Sequence, residues 1–341
     1  MTALLDLAAL VPWLEAHVAG FSGPVSVSAF GVGQSNPTYR LATPDRDYVL
    51  RRKPPGTLVA SAHAVDREFR ILSALHPLGF PVPRPHALCM DEAVIGSIFY
   101  VMDMVAGPIL KDGGLPDLVP ANREQIYFAL TDTLASLHVI DPAEAGLADY
   151  GRPDNYYQRQ IDRWTRQLAT TRTGPLPAMD ELAEALPAGI PDQFRVRIVH
   201  GDFRLDNVIM SPTHDRVLAV LDWELSTLGD ALGDLAYFLL SWVLPKALSP
   251  NDAGLGDRDI AALAIPGIEA IVARYQEKTG LADIGGLNWR IAFNLFRLAA
   301  IYQGIAARVA AGNAVGSDAN SYGARVEPMA RLALERLAIG D

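Results

Sequence analysis

The stretch from Val196 to Glu224 restricts the fold more than any other part of the chain. An apolar run, Val196-Arg197-Ile198-Val199, delivers His200-Gly201-Asp202, and a short irregular segment then carries Asp206-Asn207 into a second apolar run, Val208-Ile209-Met210. Ser211, Pro212, Thr213 and Asp215 are turn formers, after which Val217 to Leu221 reads as a strand that ends on Asp222. The pattern is strand, polar loop and hairpin, with Asp202, Asn207 and Asp222 able to converge at the hairpin's mouth. That set suits phosphoryl transfer: one carboxylate orients and deprotonates an attacking hydroxyl, while an amide oxygen and a second carboxylate hold Mg²⁺ against the phosphates. A polar loop that merely caps a hairpin is the alternative.

The protein-kinase signature separates its base Asp from its Mg-binding Asn by four residues, as H-R-D-x-x-x-x-N. His200 to Asn207 has that spacing with Gly201 in place of Arg, and Leu221-Asp222-Trp223-Glu224 follows. H-G-D-x-x-x-x-N followed by L-D-W-E resembles the aminoglycoside phosphotransferase-like kinases, which include the choline kinase-like enzymes. The resemblance implies an α+β, two-lobed protein-kinase-like fold. Its N-lobe would be a small antiparallel β-sheet with one main helix, over residues 1–106, and its C-lobe, residues 107–341, larger and mainly helical. ATP and Mg²⁺ are implied as cofactors, with Asp202 as catalytic base, Asn207 and Asp222 as metal ligands, and Glu224 as a further ligand through water.

Composition narrows the alternatives. Half of the 341 residues are hydrophobic, enough to bury a substantial core. A net charge of -10 argues against a nucleic-acid partner, since such proteins usually carry a basic patch or stripe. Residues 1 to 110 hold eight Lys/Arg against nine Asp/Glu, which leaves 21 against 30 for the rest, so the acidity belongs to the second part. A single cysteine, Cys89, allows no internal disulfide and fits a reducing cytoplasm. The opening MTALLDLAALVPWLEAHVAG has Asp6 within its apolar run and no basic residue before it, so an amphipathic helix is expected rather than a secretory signal. The longest apolar block, Leu235 to Pro245, falls well short of the roughly 20 residues that span a bilayer. No membrane segment is expected.

In the first part, Val25 to Gly31 and Thr38 to Ala42 read as strands around Gly33-Gln34-Ser35, whose amides would approach phosphate oxygens. The loop has no third glycine and opens no helix, so a dinucleotide fingerprint is disfavoured and a plain hairpin turn stays open. Asp47 to Lys53 is a third strand with Val49, Arg51 and Lys53 on one face. By resemblance to the V-A-I-K element, Arg51, with Lys53 as the reserve, would grip the phosphates, and Glu68 on the helix Ser61 to Leu75 would pair with that cation. A solvated charge run and a surface Glu are the respective alternatives. Phe80 to Pro85 is a stiff connector, and Ile98 to Val105 a strand that ends at Ala106-Gly107-Pro108. The backbone of Asp103, Met104 and Val105 is the implied adenine-contacting hinge, and Met102 reads as core rather than gate.

The second part is helical, with helices expected near Ile126 to His138, Tyr156 to Leu168, Glu181 to Leu186, Ile260 to Lys278, Leu287 to Ala311 and Glu327 to Leu337. His138 reads as a core or capping residue. Asp230 and Asp234 read as caps that brace the site, in preference to direct catalysis. The segment FRLAAIYQG, with Arg297 and Gln303, resembles the acceptor side of the same family, as Arg204 in the catalytic loop does, while a buried structural role is as reasonable for Arg297. YVLRRKPPG, IFYVMDMVAG and HGDFRLDN look most like the branch found fused to acyl-CoA dehydrogenases. The acceptor so implied is a small molecule, a hydroxyacyl-CoA or hydroxy acid, whereas the wider family implies aminoglycosides or macrolides. A nucleotide-binding pseudokinase or regulatory module is the reading from another class.

Overall fold

The computed structural model describes residues 5–30, 36–54, 65–192, 195–250, 253–311 and 319–340. Alternating buried and solvated positions in the first part give β1 (Ser26–Ala29), β2 (Thr38–Ala42), β3 (Asp47–Arg52), β4 (Pro85–Cys89) and β5 (Phe99–Asp103), paired antiparallel in the order β1-β2-β3-β5-β4. Helix α1 (Leu7–His17), capped by the Asp6 carboxylate on the amide of Ala8, seats Leu10 and Leu14 on one sheet face with Leu41, Leu50, Phe99 and Val101. The opposite face takes α2 (Val65–Leu75), whose Ile71, Leu72 and Leu75 pack with Val49, Tyr100 and Met102. The two helices that flank the sheet are those expected from the N-terminal amphipathic stretch and from the segment that ends at Leu75.

From β5 the chain passes into α3 (Pro120–Val139), α4 (Tyr156–Thr171) and α5 (Pro177–Ala188), then β6 (Val196–Val199), β7 (Val208–Met210), β8 (Val217–Val220) and β9 (Thr227–Asp230). The last helices are α6 (Ala231–Phe238), α7 (Leu240–Val243), α8 (Ile268–Thr279), α9 (Leu287–Ala310) and α10 (Ala319–Ile339). Strands β7 and β8 form the anticipated hairpin, while β6 pairs with β9 across it. A continuous core runs from the α2 face of the sheet into these helices.

Two boundaries depart from the periodicity. Helix α8 starts at Ile268 rather than Ile260, because Ala264 turns left-handed (φ 54°) and Pro266 disfavours helix before it. Helix α10 starts at Ala319 rather than Glu327 and carries Pro328 inside it, a residue that in sequence reads as a helix start. Among the described residues no helix is long and apolar enough to cross a membrane.

Candidate active site

The loop after β6 is shaped first by Gly201. Its φ of +81° lies in the region L side chains rarely adopt, and a Cβ there would meet the Leu225 carbonyl oxygen at 2.8 Å. Asp234 holds this turn from below: its buried carboxylate accepts from the amides of His200 at 2.7 Å and Gly201 at 2.9 Å, with His138 at 3.4 Å. Burial pushes the Asp234 carboxyl up, but its bonds from His138 and the His200 amide outweigh that and leave it below the usual carboxylate range. Asp234 thus braces the loop backbone instead of capping α6, the task that falls to Asp230 through the amide of Leu232. Asp230 also pairs with buried Arg290 at 2.7 Å. His138, expected as core, sits between Tyr275 Oη and Asp234.

His200 joins the loop to the hairpin. The amide of Asp202 donates to its Nδ1 at 3.2 Å, so the ring proton is on Nε2, which donates to the Leu221 carbonyl at 2.9 Å. The amide of Leu221 in turn donates to the Asn207 carbonyl at 2.8 Å. The residue before Asp222 is thereby tied on both sides to the loop that carries Asp202 and Asn207, and the three polar residues come together. Asp222 itself has φ 65°, an unfavourable conformation for a non-glycine residue that places its side chain at the strand's end.

Asp202 is held by three neighbours. Tyr237 Oη donates to Oδ1, the Asn207 amide nitrogen donates to Oδ2 at 2.9 Å, and Arg204 Nε lies 3.3 Å from Oδ1. Burial raises the Tyr237 hydroxyl far above its ordinary value, so it remains a donor. Tyr237 was read in sequence only as part of a helix; its one signal was a polar-tipped aromatic on an otherwise apolar helix.

Across the site, Arg51 reaches from β3 to Glu68 on α2 at 2.9 Å and to Asp222 at 2.9 Å, with Glu224 at 3.9 Å. Glu68 is buried, not on the surface, and accepts from Tyr100 Oη and the Asn36 amide, each at 2.9 Å. Burial raises the Glu68 carboxyl, and Arg51, Tyr100 and Asn36 pull it back. Lys53, the alternative cation, follows the end of β3 and is not among the residues lining the cleft.

That cleft, about 470 Å³, lies between the sheet and the β7–β8 hairpin. Val49, Leu72, Met102, Ile109, Ile209 and Val220 give it apolar walls, and Arg51, Glu68 and Asp222 a charged end. Met102 is both buried and part of this lining. Asp103, Met104 and Val105 line it too, but the amides of Asp103 and Met104 already donate to Arg84 and Asp47 carbonyls. Of the three hinge amides, a purine would therefore look to that of Val105. Gly107 lets this segment pass close over the hairpin, since a Cβ there would lie 2.4 Å from the Met210 carbonyl oxygen.

The donor set fits Mg²⁺. Asn207 commits its amide nitrogen to Asp202, which leaves its amide oxygen for a cation beside the Asp222 carboxylate. Among the described residues no three His, Cys, Asp or Glu side chains are grouped to hold a metal. A hard cation that keeps several waters and leans on one or two carboxylates plus phosphate needs no such group. Of the other expected residues, Arg297 donates to the Gly201 carbonyl at 2.6 Å. Gln303 is spent on Thr171 and Thr173 at the end of α4, a structural tie rather than a wall of the site. Gly33, Gln34 and Ser35 lie outside the described residues.

Comparison with known proteins bears on the fold and the family. A crystallised protein of Ralstonia eutropha, provisionally classed as an aminoglycoside phosphotransferase, superimposes with a TM-score of 0.90 at 44% identity, over 99% of this chain and 100% of that one. The mouse protein named acyl-CoA dehydrogenase family member 10 is 45% identical over 325 residues, which are 94% of this chain and 30% of the mouse protein, so the chain spans under a third of that relative. A spectinomycin phosphotransferase crystallised with ADP and spectinomycin shares the fold at 12% identity, with a TM-score of 0.64 over 99% of each chain. A model of the phosphotransferase enzyme family matches residues 26–265, a span that holds the cleft, the Asp202 loop and the Asp222 hairpin, and the chain belongs to that family.

Proposed function

We propose that the chain transfers the γ-phosphoryl group of ATP to the hydroxyl of a small-molecule acceptor, and that the acceptor is a hydroxyacyl compound. The observation that carries the reading is the fixed carboxylate of Asp202, held by Tyr237, Asn207 and Arg204 beside the hairpin that presents Asp222. In the transfer the acceptor oxygen bonds to the γ-phosphorus, the bond from phosphorus to the bridging oxygen breaks, ADP leaves, and the hydroxyl proton passes to Asp202. Arg51, aligned by Glu68, would steady the phosphates under the Gly33-Gln34-Ser35 loop, and the apolar cleft would take the base against the Asp103–Val105 hinge. Mg²⁺ on Asn207, Asp222 and, through water, Glu224 would neutralise charge on the phosphates.

The hydroxyacyl acceptor is supported by likeness to a protein named as an acyl-CoA dehydrogenase family member. An acceptor panel with coupled ADP detection tests it. Hydroxyacyl-CoA esters and hydroxy acids should release ADP in proportion to phosphorylated product. Phosphorylation of an aminoglycoside or macrolide and of no hydroxyacyl compound would refute the acceptor. Stabilisation by Mg-ATP without transfer to anything would favour a pseudokinase.

A further inference from the structure

Away from the nucleotide cleft, a second cavity of about 270 Å³ lies where β6 passes the ends of α3 and α8 and the start of α6. His138, Arg195, Arg197, Tyr275 and Thr279 line it; its described lining residues include no Asp or Glu, and none of them lines the cleft. Two guanidinium groups therefore meet at one cavity in a chain whose net charge is -10. Arg195 directly precedes β6 and Arg197 is its second residue, so the strand period of two brings both to one side. Arg197 is partly buried; its Nε donates to the His138 carbonyl at 3.0 Å and its Nη1 to the Val196 carbonyl at 2.8 Å. Both acceptors are neutral, and among the described residues Arg197 has no carboxylate partner and its Nη2 no acceptor. Arg290 makes the contrast, since it too donates to two carbonyls but has Asp230 at 2.7 Å. A guanidinium fixed by neutral groups alone keeps an uncompensated charge, and a ligand can bring the counter-charge to a fork that is already ordered.

We propose that this cavity is a binding site for a small phosphate anion, inorganic phosphate or a short phosphate monoester, held by Arg195 and Arg197. Size selects against anything larger, because pockets for drug-sized ligands begin at roughly 300 Å³. The planar fork of arginine matches phosphate oxygens in pairs, which a point charge does not. Thr279 Oγ1 already donates to the Tyr275 carbonyl at 2.7 Å, and Tyr275 Oη lies 2.7 Å from His138 Nδ1, so recognition falls to the arginines. The cavity shares no lining residue with the nucleotide cleft, and the inference does not depend on the reaction carried out at Asp202.

Isothermal titration calorimetry of the full chain tests this, with the cleft filled by the Mg²⁺ complex of a non-hydrolysable ATP analogue. The probes are inorganic phosphate, glycerol 3-phosphate and, at matched ionic strength, acetate. Wild type should bind a phosphate probe saturably and acetate about tenfold or more weakly, the scale of a charged hydrogen bond. Arg197→Gln should weaken phosphate binding by a similar factor, roughly tenfold, and Arg197→Lys should recover part of the loss. Arg195→Gln should weaken it as well, and because Arg195 is exposed this variant decides the matter if Arg197→Gln does not fold. A loss in either glutamine variant supports the site. Tighter binding of inorganic phosphate assigns it to the free anion, tighter binding of the ester to a phosphorylated small molecule, and equal binding shows that the phosphate group alone is read. Absence of saturable binding, acetate bound as well as phosphate, or unchanged affinity in every glutamine variant that folds overturns the proposal.

Discussion

A planar fork decides how β3 meets the rest of the site. Arg51 holds Glu68 through Nε and Asp222 through Nη2, two carboxylates from different parts of the chain, and one ammonium cannot reproduce both directions. Arg51→Lys is expected to raise KM for ATP about tenfold, the scale of one lost charge-assisted bond, with a smaller change in kcat. Steady-state kinetics at saturating acceptor reads this, and an unchanged KM would remove Arg51 from the phosphate site. Arg51 was legible because alternation in Asp47 to Lys53 puts it on one face with Val49, which also lines the cleft. Lys53 shared that face in sequence, and only the end of the strand at Arg52 separates the two. Tyr237 was not legible in its role, because its contact with Asp202 joins residues 35 positions apart and leaves no mark on local spacing.

At the level of elements, two buried acids of α6 brace the site, Asp230 at its N-cap and Asp234 within it. Asp230 pairs with Arg290, both under 2% exposed, so that α9 is clamped to the start of α6. Removing one partner of such a pair leaves the other charge buried and uncompensated. Arg290→Ala should therefore cost about 3–5 kcal/mol of stability, measured by denaturant unfolding, and a loss near zero would show the clamp is dispensable. Asp234 makes a different prediction. Its folded carboxyl sits below the unfolded value near 4, so its contribution is present above that pH and is lost as pH falls through the lower folded value. The gap in Tm between wild type and Asp234→Asn should be widest near neutrality and narrow below about pH 4. A gap constant across pH would mean that the carboxylate charge is not what holds the His200 and Gly201 amides. Helices with clear periodicity, such as α3 and α9, were readable to within two residues at most of their ends, whereas the starts of α8 and α10 were misjudged by about eight residues beside Pro266 and Pro328.

On the scale of the whole molecule, sheet and helices enclose an apolar cleft with a charged end, and its two sides meet at Asp222. The two-part order was readable because the chain changes from alternating to helical periodicity after the Gly107-Pro108 punctuation. The setting of Asp202 was not, since Tyr237 reaches it from α6 and Arg297 holds its loop from α9, contacts that form only in the folded chain.

The central claim is that Asp202 takes the acceptor's proton during transfer from ATP. The most direct check is acceptor-dependent product formation by Asp202→Ala, with Mg-ATP affinity measured on the same preparation. The account predicts turnover lower by about 10²- to 10⁴-fold, the usual worth of a general base, with nucleotide affinity close to wild type. Wild-type turnover in that variant would contradict it.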